Sequence, residues 1–255
     1  MSLVNRIRAA GVASGIHFFS SCAMAVFASA LVFLVWYPYP YRELSGGREL
    51  FLLVVSVDVI CGPLLTLVLF NPAKRKADLL RDMTLVALIQ LGALGYGLFT
   101  VWQARPLYLV LEFDRFKVIT RPVLEAAELD QLPSVLRVRW WSGPLAVGIR
   151  EPKNNEERER VMFESVQGGR DYAERPDFYL PYDGPTAAKS LRRAKPLEEF
   201  LKRQPDQRAA ALDLVKGEAI KVSELSYLPV MARKHWVAIV DKQGSIKGFL
   251  PGDSF

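Results

Sequence analysis

Cysteine and histidine are nearly missing from this chain of 255 residues, which holds two of each. Cys22 and Cys61 both fall in strongly apolar runs, so everything after residue 61 is free of cysteine. That excludes a disulfide framework, a thiol nucleophile and a cysteine-based metal site from the rest of the chain. His17 and His235 are too few for a zinc site without distant carboxylates, so no metal is expected. No nucleophile elbow, phosphate-binding loop or dinucleotide fingerprint occurs, and the doublets Gly46-Gly47 and Gly168-Gly169 read as a turn and a helix stop. Internal repeats and low-complexity tracts are absent as well. Nothing here assembles into an active site or a cofactor site, and the expectation is a protein without enzymatic activity.

Charge is scarce over the first 102 residues, which hold eight of the 33 Lys and Arg and five of the 27 Asp and Glu. Three apolar runs fill this part: residues 16–37, 49–70 and 83–102. At about 20 residues each they match the roughly 30 Å hydrocarbon core as helices. The triplet Ala28-Ser29-Ala30 resembles a signal-peptide cleavage site, but it is followed by the apolar LVFLVW, so the helix is read as retained. The chain is therefore expected to be an integral membrane protein, with three transmembrane α-helices in residues 1–103 and a soluble α+β domain in 104–255. Arg6 and Arg8 precede the first run, and Lys74, Arg75, Lys76 and Arg81 crowd the second loop. The positive-inside rule then puts the N-terminus and that loop in the cytoplasm and the C-terminal domain on the other face. Trp36, Tyr37, Tyr39, Tyr41 and Trp102 would form an aromatic belt at the outer interface. The basic balance is mostly this topology signal and needs no nucleic acid.

After Trp102 the pattern changes to strand alternation. Residues 106–120 read as a hairpin and 135–149 as a strand interrupted at Gly143-Pro144. Residues 154–167 read as a helix begun by Asn154, with Glu156–Arg160 as an ion pair on a solvated face. Helices near 186–203 and 206–216 break around Pro205, and the end forms two or three strands with a turn at 242–244. The adjacent Trp140 and Trp141 would put one indole on each face of their strand, with Trp141 a candidate contact on the outer domain.

One residue stands out in the second run. Asp58 sits near its middle, where a carboxylate is costly unless it is protonated or partnered. Fifteen Leu, Ile, Val or Phe within 50–70 outweigh the roughly 3 kcal/mol that one aspartate costs at a helix centre. Counting inward from the cytoplasmic ends puts Ser29 and Tyr96 at nearly its depth, as candidate polar contacts. Gly62-Pro63 frees a carbonyl within the second helix and is expected to kink it. Ser21, Ala25 and Ser29 on the first helix, and Ala93 and Gly97 on the third, form small-residue faces that suit close helix packing, internal or with a guest helix.

The stretches FLVWYPYPYRELSGGRELFLLVVSVDVICGPLLTLVLFNPAKRK, YGLFTVWQARP, LVLEFDRFKVIT and GGRDYAERPDFYLPYDG resemble type IV pilin accessory proteins of the TfpX/TfpZ kind. The resemblance runs over almost the whole chain and is most specific in residues 33–120. It implies an inner-membrane, chaperone-like factor, with its soluble domain in the periplasm, that associates with the major pilin and supports pilus assembly or tunes extension and retraction. It brings no catalytic residues, and possible partners include the assembly machinery and the lipid bilayer. The chain is not itself a pilin, because the residue five places after Gly15 is Ser20 rather than glutamate and two further spans follow. The alternative is a membrane-anchored periplasmic sensor, against which stands the short cytoplasmic portion expected. An enzyme using Glu43 and Glu49 near the outer interface is the third.

Overall fold

The computed structural model describes residues 3–254. The chain forms two compact units, one of Met1–Pro38 with Gly47–Gln103 and one of Tyr39–Gly46 with Ala104–Phe255. The domain boundary read from the sequence therefore needs one correction: the short segment between the first two spans belongs to the second unit.

In chain order the first helices are α1 (Leu3–Leu31), which continues as a π-helical turn over Val32–Trp36, α2 (Tyr41–Leu44), α3 (Gly47–Leu69) and α4 (Lys76–Gln103). α1 with its π-helical turn, α3 and α4 are each long and apolar enough to cross a membrane, and each covers one of the apolar runs to within a residue. α3 is the middle helix, packed against both α1 and α4. A Cβ added to Gly97 would stand well inside contact distance of the Val54 methyls, so glycine is what lets α4 lie this close to α3. Near one end, Ala28, Val32, Trp36, Tyr37, Phe51 and Val101 form a buried apolar cluster. The Phe33 and Phe51 rings meet edge to face at 5.0 Å, and Tyr37 Oη donates to the carbonyl of Val101 at 3.0 Å. α3 is assigned as unbroken helix through Pro63.

The second unit is built on a mixed sheet of β1 (Pro106–Glu112), β2 (Arg115–Thr120), β3 (Leu145–Ile149), β4 (Tyr179–Pro181), β5 (Lys195–Pro196), β6 (Ser226–Met231), β7 (Trp236–Val240) and β8 (Ile246–Pro251). The main order is β4-β3-β1-β2-β6-β7-β8, with β5 paired to β6. β1 runs parallel to β3, and β2 parallel to β6; the other pairs are antiparallel. The sequence is interspersed with α5 (Ala126–Gln131), α6 (Asn155–Val166), α7 (Gly184–Ser190), α8 (Leu197–Arg203) and α9 (Arg208–Leu214). Both faces of the central strands are covered, which is why β7 is buried at every position. Val237 and Ile239 pack with Phe200, Leu201 and Ala211 from α8 and α9. Trp236, Ala238 and Val240 point the other way, into a cluster with Leu109, Leu111, Phe116, Leu228 and, from α2, Tyr41 and Leu44.

The segment 39–46 thus supplies part of the core of the second unit. Leu44 is fully buried, its carbonyl accepts from Lys234 N (3.1 Å), and Tyr39 meets Trp236 edge to face. This corrects the aromatic-belt reading. Trp36, Tyr37 and Tyr41 are buried in protein, and of the aromatic residues in that stretch Tyr39 is the exposed one. Their amphipathic rings suit a bilayer interface and a protein core equally, so sequence position alone does not separate the two.

The hairpin over 106–120 is present as expected. The stretch 135–149 is not: only β3 is strand, and Trp140 and Trp141 lie in a turn before it. α6 begins at Asn154, whose Oδ1 accepts from Glu157 N (2.8 Å), and ends at Gly168, whose φ of +84° suits glycine. The α6 carboxylates with ion pairs are Glu157, with Arg150, and Glu164, with Arg175, rather than Glu156. Both oxygens of Glu157 accept from Arg150, at 2.8 and 2.9 Å, and Glu157 also accepts from Lys153 N. The Arg150 bonds first, then the Lys153 N–H, hold its carboxyl at about 2 against an ordinary 4.5. The unfolded chain takes up this proton first as pH falls, so the contribution is complete above about 4.5 and disappears towards about 2. Glu157→Gln is therefore expected to lower the melting temperature near neutral pH, with the gap to wild type closing as pH falls through that window. A gap that stays constant across the window would contradict this.

Candidate functional site

The polar side chains of the first unit meet along a seam between its helices. Ser14, His17 and Ser21 recur at helical spacing on one face of α1, opposite α3. Ser14 Oγ donates to the carbonyl of Pro63 at 2.8 Å, and His17 Nδ1 lies 2.6 Å from Thr66 Oγ1. Gln90 of α4 closes the seam: its Nε2 donates to Ser21 Oγ (2.8 Å) on α1 and to the main-chain oxygen of Asp58 (3.2 Å) on α3. One amide thus ties all three helices, as expected where no water competes for its hydrogen bonds.

Asp58 is buried in this seam, 7% exposed. Its Oδ1 and Gln90 Oε1 are buried oxygens with no hydrogen-bond donor among the described residues. Leaving such a group unpaired costs about 1–3 kcal/mol. The candidate contacts of Asp58 read from the sequence are not formed. Tyr96 points away from the bundle at 74% exposure, and Ser29 Oγ donates within its own helix to Ala25 O (2.7 Å). The depth count fails because α1 and α4 extend well beyond their apolar runs, starting at Leu3 and Lys76, so the run ends do not lie in one plane. Gln90 was missed for the same reason, although an amide inside an apolar run was a visible signal.

The small-residue faces divide in two. Ser21, Gly62, Pro63 and Gly97 are buried, and Ala25 is half-buried. A Cβ on Gly62 would run into the Gln90 amide, so this glycine makes room for the bridge. Ala93 is exposed, and its neighbours Gly92 and Gly95 have open space where a Cβ would be. That flank of α4 is left uncovered by the chain.

In the second unit, Trp140 and Trp141 are both exposed and meet edge to face at 5.3 Å. Their turn is held from below by Arg105, a buried guanidinium that donates to the carbonyls of Trp140 (2.7 Å) and Arg139 (3.2 Å). Arg139 also stacks over the Trp141 ring. Two indoles on a pinned turn make a rigid apolar contact surface, and Trp141 is part of it. Elsewhere burial pushes the Tyr108 hydroxyl up to about 12, and its Oη donates to Leu136 O, a core role. Among the described residues no group of three or more His, Cys, Asp or Glu could hold a metal ion.

Comparison with known proteins gives one consistent result. The family model of the fimbrial assembly protein FimB matches residues 5–46, which span α1 and the segment that enters the core of the second unit. The fimbrial assembly proteins of serogroups I and E1 of Dichelobacter nodosus are each 34% identical over 95% of this chain and 95% of their own length. That of serogroups C1 and C2 is 42% identical over 46% of this chain and 90% of its own. No solved structure matches. The resemblance read from the sequence stands, and on similarity that runs through the membrane helices and the sheet domain alike, the chain belongs to the fimbrial assembly protein family.

Proposed function

We propose that the protein is a non-enzymatic accessory factor of the bacterial inner membrane that binds the type IV pilin subunit and modulates pilus assembly, or extension and retraction. The observation that carries this reading is the similarity, over 95% of the chain, to proteins named for fimbrial assembly. The N-terminus faces the cytoplasm and the sheet domain the periplasm. The charge distribution supports that orientation: the basic loop 74–81 falls on the side opposite the domain after three crossings. Segments 39–46 and 104–254 build one core, which requires them on the same side, and the two crossings of α3 and α4 between them deliver that.

The pilin's apolar helix, waiting in the bilayer, lies along the uncovered flank of α4 at Ala93, and its globular part meets the Trp141 turn. Asp58 is covered by the chain's own helices, so it does not meet the guest. Asp58→Asn is accordingly expected to leave pilus number and co-purified pilin within about twofold of wild type. A loss of about tenfold, the size of one charged hydrogen bond, at an unchanged melting temperature would place Asp58 on the partner's path. The binding itself is tested by co-purification of pilin with the tagged full chain from cells lacking the rest of the assembly machinery. Pilin in stoichiometric amounts is the expected result, and its absence under conditions that keep the chain folded contradicts the proposal. Alkaline phosphatase fused after Gln103 should be active, and fused after Lys76 inactive.

A further inference from the structure

The second unit contains a hollow of about 750 Å³ whose floor and rim differ in character. Leu111, Ile149 and Met162 give it an apolar lining, and Phe113 stands at its edge. Phe113 is 69% exposed and occupies the left-handed region at φ +51°, a costly conformation for a bulky residue in a hairpin turn. Its ring is steadied edge to face by Tyr172. Phe113 thus presents an exposed apolar ring beside the hollow.

The rim is cationic. Arg158 of α6, Lys189 of α7 and Arg192 just beyond it all line the hollow, and none of the three forms a salt bridge among the described residues. Their neighbours do: Arg150 is engaged by Glu157, Arg170 by Glu128, Arg175 by Glu164 and Lys117 by Asp171 and Glu174. The one carboxylate in the lining is Glu151. Positive charge without an ion-pair partner thus borders an apolar depression.

From this charge pattern and shape we infer that the hollow binds an acidic segment of a partner protein that carries a large apolar side chain, with the side chain against Phe113 and Met162 and its carboxylates at Arg158, Lys189 and Arg192. A flat bilayer would not reach the floor of a concave site, and a small inorganic anion would leave most of the volume and the apolar lining unused. The inference goes beyond the proposed pilin association and rests on it only in taking the occupant to be a protein.

The probe is a fluorescein-labelled synthetic peptide, Glu-Asp-Phe-Glu-Glu-Leu-Asp-Glu, titrated with the full chain in detergent micelles and followed by anisotropy. Saturable binding that weakens with salt is expected. It should be lost when the peptide acids are replaced by lysine, or when its Phe and Leu are replaced by serine. The pair Arg158→Glu with Arg192→Glu should weaken it about tenfold or more, by reversing charges at the contact, with an unchanged melting temperature. Phe113→Ser, at an exposed turn, gives an independent reading of the apolar contact and should also weaken binding. Failure of the parent peptide to bind, or equal binding by the charge-reversed variant, overturns the inference. So does full competition by phosphatidylglycerol vesicles or inorganic phosphate, which would assign the hollow to lipid headgroups or to a simple anion. None of these failures would touch pilin capture at Ala93 or Trp141, so the two proposals fail separately.

Discussion

Leu44→Ala should destabilise the sheet domain by about 2–5 kcal/mol, the cost of removing a buried leucine side chain and leaving a cavity. On sequence alone residue 44 belongs to a loop between two membrane helices, where such a change would cost almost nothing. In the fold it is fully buried among Leu109, Phe116, Leu228 and Trp236. The measurement is thermal unfolding of the full chain in detergent, followed through protease sensitivity of the domain. A drop of several degrees is expected in the domain transition. Unchanged protection would mean that α2 does not belong to that core. The lesion also disturbs a segment covalently continuous with α1 and α3, so pilus number should fall with it.

Gly97→Val should separate α3 from α4. The new Cβ would collide with Val54 Cγ1, and a β-branched side chain at either position has few rotamers with which to escape. Overpacking of this kind costs about 1–3 kcal/mol or more. Gly62→Ala is a useful comparison, because the atom met there is the end of the flexible Gln90 side chain. That amide can move, but only by giving up its bonds to Ser21 and Asp58. The glycine-to-valine change should therefore lower the melting temperature of the helical unit more than the alanine change. Equal, small effects from both would contradict the close approach of α3 and α4.

The parts of this fold that were legible in the sequence are those set by local physics. Each spanning helix declared itself by a long apolar run. α6 was marked by Asn154 at its start and Gly168 at its end, and the β1–β2 hairpin by alternation. The parts that were not legible depend on contacts between distant residues. Nothing local distinguishes Tyr41 in a sheet core from a tyrosine at a bilayer surface, since the same ring serves both. Trp140 and Trp141 alternate like strand residues, yet their turn is fixed by Arg105, more than thirty positions away. For the intramembrane seam, Asp58 was the visible half. Its partner Gln90 was hidden because helices that outrun their apolar stretches cannot be aligned by counting from the ends. The small-residue faces could be read from the sequence, but only packing reveals that Gly97 meets Val54 and that Ala93 is exposed.

The central claim, that this chain holds pilin through an uncovered flank of its membrane helices and through its outer domain, is tested most directly by in-cell photocrosslinking. A photoreactive residue is placed at Ala93, at Trp141 and, as a buried control, at Ser21, and the captured partners are identified by mass. Pilin captured from Ala93 and Trp141, with little from Ser21, is the result expected. Pilin absent from both exposed sites, in cells that assemble pili normally, would contradict the account.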